Sequence, residues 1–152
     1  MKKAVFYDHI LDMCVQENMS TESALSYAKD LGIELLEISE NNIKDDSGEL
    51  KNRINFFGMH VSCLCAYFNF AHETDINKRG IGALENAARL EAQNILVIPG
   101  YFKEGISKEE KYSEKMKMIE TLIKFTEAAN KYGLTVLMEE YDSSDAPFST
   151  SQ

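Results

Sequence analysis

Short apolar runs and helix-patterned segments alternate along this chain, and that alternation constrains its fold more than any single motif does. Ala4 to Tyr7 is the first apolar run. Ser20 is placed to cap a helix over Thr21 to Asp30, with Ala24, Leu25, Tyr27, Ala28 and Leu31 as its apolar face. Gly32 ends that helix, and Leu35 to Ile38 reads as a second strand. A polar loop, Asn41 to Glu49, leads to a helix over about Leu50 to Phe57 that Gly58 closes. Val61 to Phe68 is the third strand. Asp75 to Glu91 carries a helical pattern whose start is weakened by Gly80 and Gly82. Asn94 to Ile98 is the fourth strand, stopped by Pro99-Gly100. Tyr112, Met116, Ile119, Ile123 and Thr126 recur at helical spacing and mark the apolar face of a fourth helix running to about Tyr132. Gly133 caps it, and Thr135 to Met138 has the length of a buried strand.

Strands that alternate with helices call for a parallel sheet with right-handed crossovers. The length of 152 residues suits one α/β domain. A five-stranded doubly wound sheet fits it, and so does a truncated (β/α)8 barrel of about five strands, since a whole barrel takes ~250 residues. Periodicity does not separate the two. The first strand leads into Tyr7-Asp-His-Ile-Leu-Asp12, which holds no glycine, so a dinucleotide or P-loop reading is disfavoured.

The formal net charge is −9, which argues against a nucleic-acid backbone or an anionic membrane as partner. No stretch approaches the ~20 apolar residues of a membrane span. The N-terminus reaches Asp8 without a secretory apolar region, so a cytoplasmic location is expected. Three cysteines, Cys14, Cys63 and Cys65, are sparse and odd in number. Cys63 and Cys65 lie two apart on a strand and share a face. A soft metal is one reading of that pair. No second Cys/His pair stands at finger spacing to complete such a site, which favours buried, reduced thiols.

The last strand ends in carboxylates, Glu139, Glu140 and Asp142. In parallel α/β proteins the carboxyl ends of the strands are where chemistry is built, and hard divalent cations take oxygen ligands of this kind. A wet, charged strand exit is the alternative. Glu37 interrupts an apolar run near the end of the second strand, where a buried carboxylate would need a partner or a raised pKa, which makes it a functional candidate. His9 follows the first strand and His72 the third, so both fall on the same face as Glu139. Each is a candidate substrate contact, or else a solvated loop histidine. Tyr67, with Phe68 and Phe70, stands beside His72; aromatic rings can stack on a bound substrate, though a run of them on a strand also makes core. His60 precedes the third strand, at the opposite end, and reads as structural. The charged stretch from Lys103 to Lys117 reads as a solvated face.

Four stretches resemble the xylose-isomerase-like TIM-barrel superfamily of sugar phosphate isomerases and epimerases. They are Leu31-Gly-Ile-Glu-Leu-Leu-Glu-Ile38, Phe57-Gly-Met-His-Val-Ser62, Leu90-Glu-Ala-Gln-Asn-Ile-Leu-Val-Ile-Pro-Gly100 and Tyr132-Gly-Leu-Thr-Val-Leu-Met-Glu139. In the third, Glu91 stands where the family has glycine. The resemblance covers the N-terminal part of such a barrel, so residues 1–152 are expected to form a single partial domain without the C-terminal strands.

By that resemblance, Glu139 is a divalent-metal ligand (Mn2+, Mg2+ or Zn2+) and an acid/base. The remaining ligands are expected from later strands. The implied reaction is proton transfer next to a carbonyl of a sugar or sugar phosphate. A half-barrel exposes two strand edges and an apolar face, so a homo-oligomer that completes the site in trans is expected. The alternative is a non-catalytic carbohydrate-binding or assembly module. An endonuclease-IV-like zinc nuclease of the same superfamily is disfavoured by the acidic charge.

Overall fold

A computed structural model describes residues 2–43, 46–73, 76 and 78–139. The strands are β1 (Lys3–Phe6), β2 (Ile33–Ser39), β3 (His60–Tyr67), β4 (Asn94–Ile98) and β5 (Thr135–Met138). The helices are α1 (Tyr7–Gln16), α2 (Thr21–Asp30), α3 (Ser47–Phe56), α4 (Arg79–Arg89) and α5 (Lys108–Lys131). All strand pairs are parallel, and the strand order is β1-β2-β3-β4-β5.

That order separates the two architectures the sequence left open. A doubly wound sheet reverses its strand order at a switch point, with helices on both faces. Here each strand is added beside the previous one. Leu36, Ile38, Leu64, Ala66, Ile95 and Val97 are buried on one face of the sheet. On the other face Glu37, Cys65, Tyr67, Leu96 and Leu137 are half-buried or exposed, and Cys63 is buried. One covered face and one open face make a curved segment of barrel wall. No described helix is long and apolar enough to cross a membrane.

Several local readings hold in detail. Ser20 accepts the Ser23 amide at 3.2 Å and caps α2. Gly32, Gly58 and Gly133 follow α2, α3 and α5 with φ of +80°, +67° and +70°. Glu91, standing where the resembling family has glycine, takes the same left-handed backbone at φ +58°.

Four readings are corrected. Tyr7 to Asp12 is not a loop. It lies in α1, which starts directly after the last residue of β1, because Tyr7 and Ile10 bury the same helical face. Helix α4 starts at Arg79 rather than near Asp75, which lies outside the described residues; Gly80 is buried at its first turn, against Phe125. The strand before Glu139 is not buried, since only Val136 is half-covered at this edge of the described sheet. Finally, α5 turns a different face inward. Met118, Thr121, Phe125, Ala128 and Ala129 are buried, while Tyr112 and Ile123 are 68% and 54% exposed. Phe125 meets Phe68 and Phe70 at ring-centroid distances of 5.2 and 5.5 Å. This cluster outweighs the stripe that periodicity alone had favoured.

Candidate functional site

The carboxyl ends of β2, β3 and β4 enclose a depression of about 200 Å3 lined by Ser39, Glu40, Cys65, Tyr67, Arg79 and Ile98. Strand register explains the grouping. Ser39 pairs with Cys65, Cys65 with Leu96, and Tyr67 with Ile98, so these side chains form successive rows on the open face. Phe6, Glu37, Cys63, Asn94 and Thr135 form the row below.

Arg79 organises the rim. It donates to Glu73 Oε2 at 3.1 Å, to Glu40 Oε2 at 3.3 Å and to the Tyr67 carbonyl, and its guanidinium lies 4.9 Å over the Phe68 ring. Two carboxylates and a carbonyl fix the cation, so the loop after β3 is tied to the end of β2. Tyr67 is 43% exposed, and its ring lies 6.5 Å from that of Tyr101. Burial, helped by Tyr101 and Glu73, raises the Tyr67 phenol above its ordinary pKa, so it stays a neutral donor.

Glu139 follows β5. Its amide donates to the Val97 carbonyl at 3.3 Å, which continues the β4–β5 ladder, and its side chain is exposed. It stands two residues beyond Leu137, on the open face. Glu37 is half-buried in the row of Cys63. The carboxylates of Glu37 and Glu139 both act on Cys65, which ties these two predicted residues to one region. Glu140 and Asp142 lie outside the described residues.

The two histidines are placed differently. His9 is not in a loop; it is exposed on α1, edge-on to Phe6 at 6.1 Å. It lines a separate depression of about 680 Å3 between α1 and α2, with Asp12, Met13, Gln16, Met19 and Tyr27. His72 pairs through Nε2 with Glu114 Oε1 at 3.2 Å. Glu114 is 9% exposed, so it does not belong to the solvated face read for Lys103 to Lys117. Its Oε2 has no partner among the described residues. His60 opens β3 and is exposed at the opposite end from Glu139.

Sequence reading missed Arg79, Glu40, Glu73 and Glu114. Glu40, directly after the second strand, carried a positional signal. Arg79 carried none, since a fold that returns it to Tyr67 leaves no periodic trace. Among the described residues, no group of three or more His, Cys, Asp or Glu side chains is placed to hold a metal ion.

Comparison with protein-family models finds no match. Comparison with characterised protein sequences finds none either. Solved structures do match. The IolI protein with a bound zinc atom superposes with a TM-score of 0.73 at 19% identity, over 97% of this chain and 54% of its own. A xylose isomerase domain-containing protein from Salmonella typhimurium LT2 gives 0.69 at 14% identity, over 95% and 51%. The 3-keto-D-glucoside 4-epimerase YcjR from E. coli gives 0.61 at 19% identity, over 78% and 50%. This chain thus spans about half the length of the structures it matches. With its sequential parallel sheet and single covered face, it has the fold of the N-terminal part of a xylose-isomerase-like TIM barrel.

Proposed function

We propose that this chain forms part of a sugar or sugar-phosphate isomerase or epimerase, with Glu139 as the carboxylate that moves a proton next to a carbonyl. One observation carries the reading: Glu139 stands exposed at the carboxyl end of β5, on the open face it shares with the depression at β2–β4. The likeness to a 3-keto-D-glucoside 4-epimerase supports the same chemistry. In this reading Glu139 takes the proton from the carbon beside a ketose carbonyl, and the electron pair delocalises into the carbonyl. Returning the proton to the same face regenerates substrate. Returning it from the opposite face, by a second acid, gives the epimer. Tyr67 offers a neutral hydroxyl and a ring to the sugar, with His72 and Glu37 beside the same end of the sheet; His9 lines a separate depression and takes no part in this reading.

The described residues do not by themselves fit a divalent metal, since Glu139 has no further ligands placed around it. Ligands for Mn2+, Mg2+ or Zn2+, and the second acid, are proposed to come from a homo-oligomeric partner. The described residues of two copies hold ten strands against the barrel's eight, which favours copies that cover each other's open faces over a merged barrel.

Deuterium wash-in tests the reading. The chain is incubated with ketoses and ketose phosphates in D2O containing Mn2+, and exchange at the carbon beside the carbonyl is followed by proton NMR. Exchange that Glu139→Gln abolishes is the expected result, with epimerisation only where the second acid is present. Saturable sugar binding without exchange, unchanged by Glu139→Gln, would reject the reading and assign the non-catalytic carbohydrate-binding module instead.

A further inference from the structure

The helix-covered side of the sheet carries a cavity that the proton chemistry does not use. It is a depression of about 250 Å3 where α1, the start of α2 and α3 meet the chain leaving β2. The turn Glu40–Asn42 separates it from the open face: Glu40 and Asn41 line the depression there, while Asn42 and Ile43 line this one. We propose that this second depression binds a free α-amino acid with a branched aliphatic side chain, through both of its charges.

The walls supply charges of both signs. Asp46, Glu49, Leu50 and Arg53 stand at helical spacing and share the face of α3 that lines the depression. Asp46 is committed to the helix, since its Oδ1 accepts the Gly48 amide at 2.7 Å. Glu49 and Arg53 lie one turn apart, about 6 Å along the axis, in the order that favours an ion pair. They do not pair. Arg53 Nε reaches Glu22 Oε1 at 4.0 Å, the outer limit of an ion pair, and Glu49 has no ionic partner among the described residues. A carboxylate and a guanidinium held apart over one cavity match an ammonium and a carboxylate carried by one small molecule.

An unmet donor and the size of the space point the same way. Asn42 Nδ2 is buried and donates to nothing among the described residues. Leaving a buried donor unpaired costs free energy, and a ligand carboxylate is the acceptor it lacks. Leu11, Ile43 and Leu50 give the depression an apolar wall. At about 30 Å3 for each water-sized group, such a space takes roughly eight non-hydrogen atoms, the size of valine or leucine. Two lining carboxylates against one guanidinium disfavour a dianion such as a sugar phosphate. The amino acid therefore places its ammonium at Glu49, its carboxylate at Arg53 and Asn42, and its side chain on the apolar wall.

The test is a titration of the isotopically labelled chain with L-leucine, followed by proton–nitrogen correlation NMR at constant ionic strength. Saturable shifts centred on the amides of Leu11, Ile43 and Leu50 are expected, with a Kd on the order of 1 mM for so small a ligand in an open site. Leucinamide lacks the carboxylate and isocaproate lacks the ammonium. Each is expected to bind the unmutated chain at least about 10-fold more weakly, the worth of one charge-assisted hydrogen bond, a readout that does not depend on any variant folding. Arg53→Gln should weaken leucine about 10-fold and leave leucinamide unchanged. Glu49→Gln should weaken leucine and leave isocaproate unchanged. Both side chains are exposed, so neither change should disturb the fold. No saturable shift from leucine, shifts centred elsewhere, analogues that bind as tightly as leucine, or variants that keep the parent's affinity would each overturn the proposal.

Discussion

Glu91 holds a backbone conformation that its side chain disfavours, and replacing it separates strain from contact. It follows the C-terminus of α4 at φ +58°, with its amide on the Ala88 carbonyl and the Ala92 amide on the Ala87 carbonyl, both at 3.0 Å. These bonds close the helix end only if the residue between them is left-handed. That geometry costs a non-glycine residue about 1–2 kcal/mol. Glycine removes the strain, but its looser unfolded chain returns about 0.4–1 kcal/mol of the gain. The ion pair from Lys51 Nζ to Glu91 Oε1, at 3.0 Å with the glutamate side chain 69% exposed, is worth about 0–1 kcal/mol and is lost in any neutral variant. Glu91→Gly should therefore lie within about 1 kcal/mol of the parent, by the balance of these three terms. Glu91→Ala keeps the strain and loses the pair, so it should be less stable than the glycine variant by about 0.5–1 kcal/mol. Within a helix the same comparison favours alanine, and that inversion of sign is the test. Urea unfolding followed by circular dichroism reads it, and in thermal melts the two variants should differ by about 1–4 °C. An alanine variant as stable as the glycine variant would refute the left-handed helix end.

Phe125→Ala should cost about 3–5 kcal/mol, whereas Ile123→Ala, at an exposed position, should stay within about 0.5 kcal/mol in dilute solution, which denaturant melts of the pair would check. The reverse ranking would restore the stripe that periodicity favours on α5. Tyr7 has its phenol raised by burial, with Arg53 partly opposing, so the fold favours the protonated form. Its contribution is present below the unfolded tyrosine pKa of about 10 and is lost as pH rises beyond it. Stability of the parent should fall relative to Tyr7→Phe above that pH; parallel stability curves for the two would contradict this.

Strands and glycine helix ends were legible because each rests on local chemistry. Asn94 to Ile98 and Thr135 to Met138 match β4 and β5 residue for residue, and Gly32, Gly58 and Gly133 sit where left-handed backbone is needed. Helix α1 was hidden because its first residue adjoins β1, with no polar loop and no side-chain cap to announce it. The face of α5 was misread because two stripes share its length, and only tertiary contact with Phe68 and Phe70 chooses Phe125 over Ile123. At the site, Glu139, Glu37 and Tyr67 could be found because each breaks or ends a strand pattern on the open face. Arg79 and Glu114 could not, since their roles depend on chain segments brought together from 12 and 42 residues away, to the Tyr67 carbonyl and to His72.

The open face is the surface that most needs a covering partner. Tyr67, Leu96, Ile98 and Leu137 are half-buried or exposed on it, and among the described residues β1 and β5 end the sheet with no further strand beside them. Such a face and two such edges call for cover. Molar mass measured by light scattering at micromolar concentration, for the parent and for Leu137→Asp, tests this most directly. Leu137 is 42% exposed at the edge strand, so the aspartate should leave the folded circular-dichroism spectrum intact. A dimer or larger assembly is expected for the parent and a monomer for the variant. A folded parent that stays monomeric across that range would contradict it.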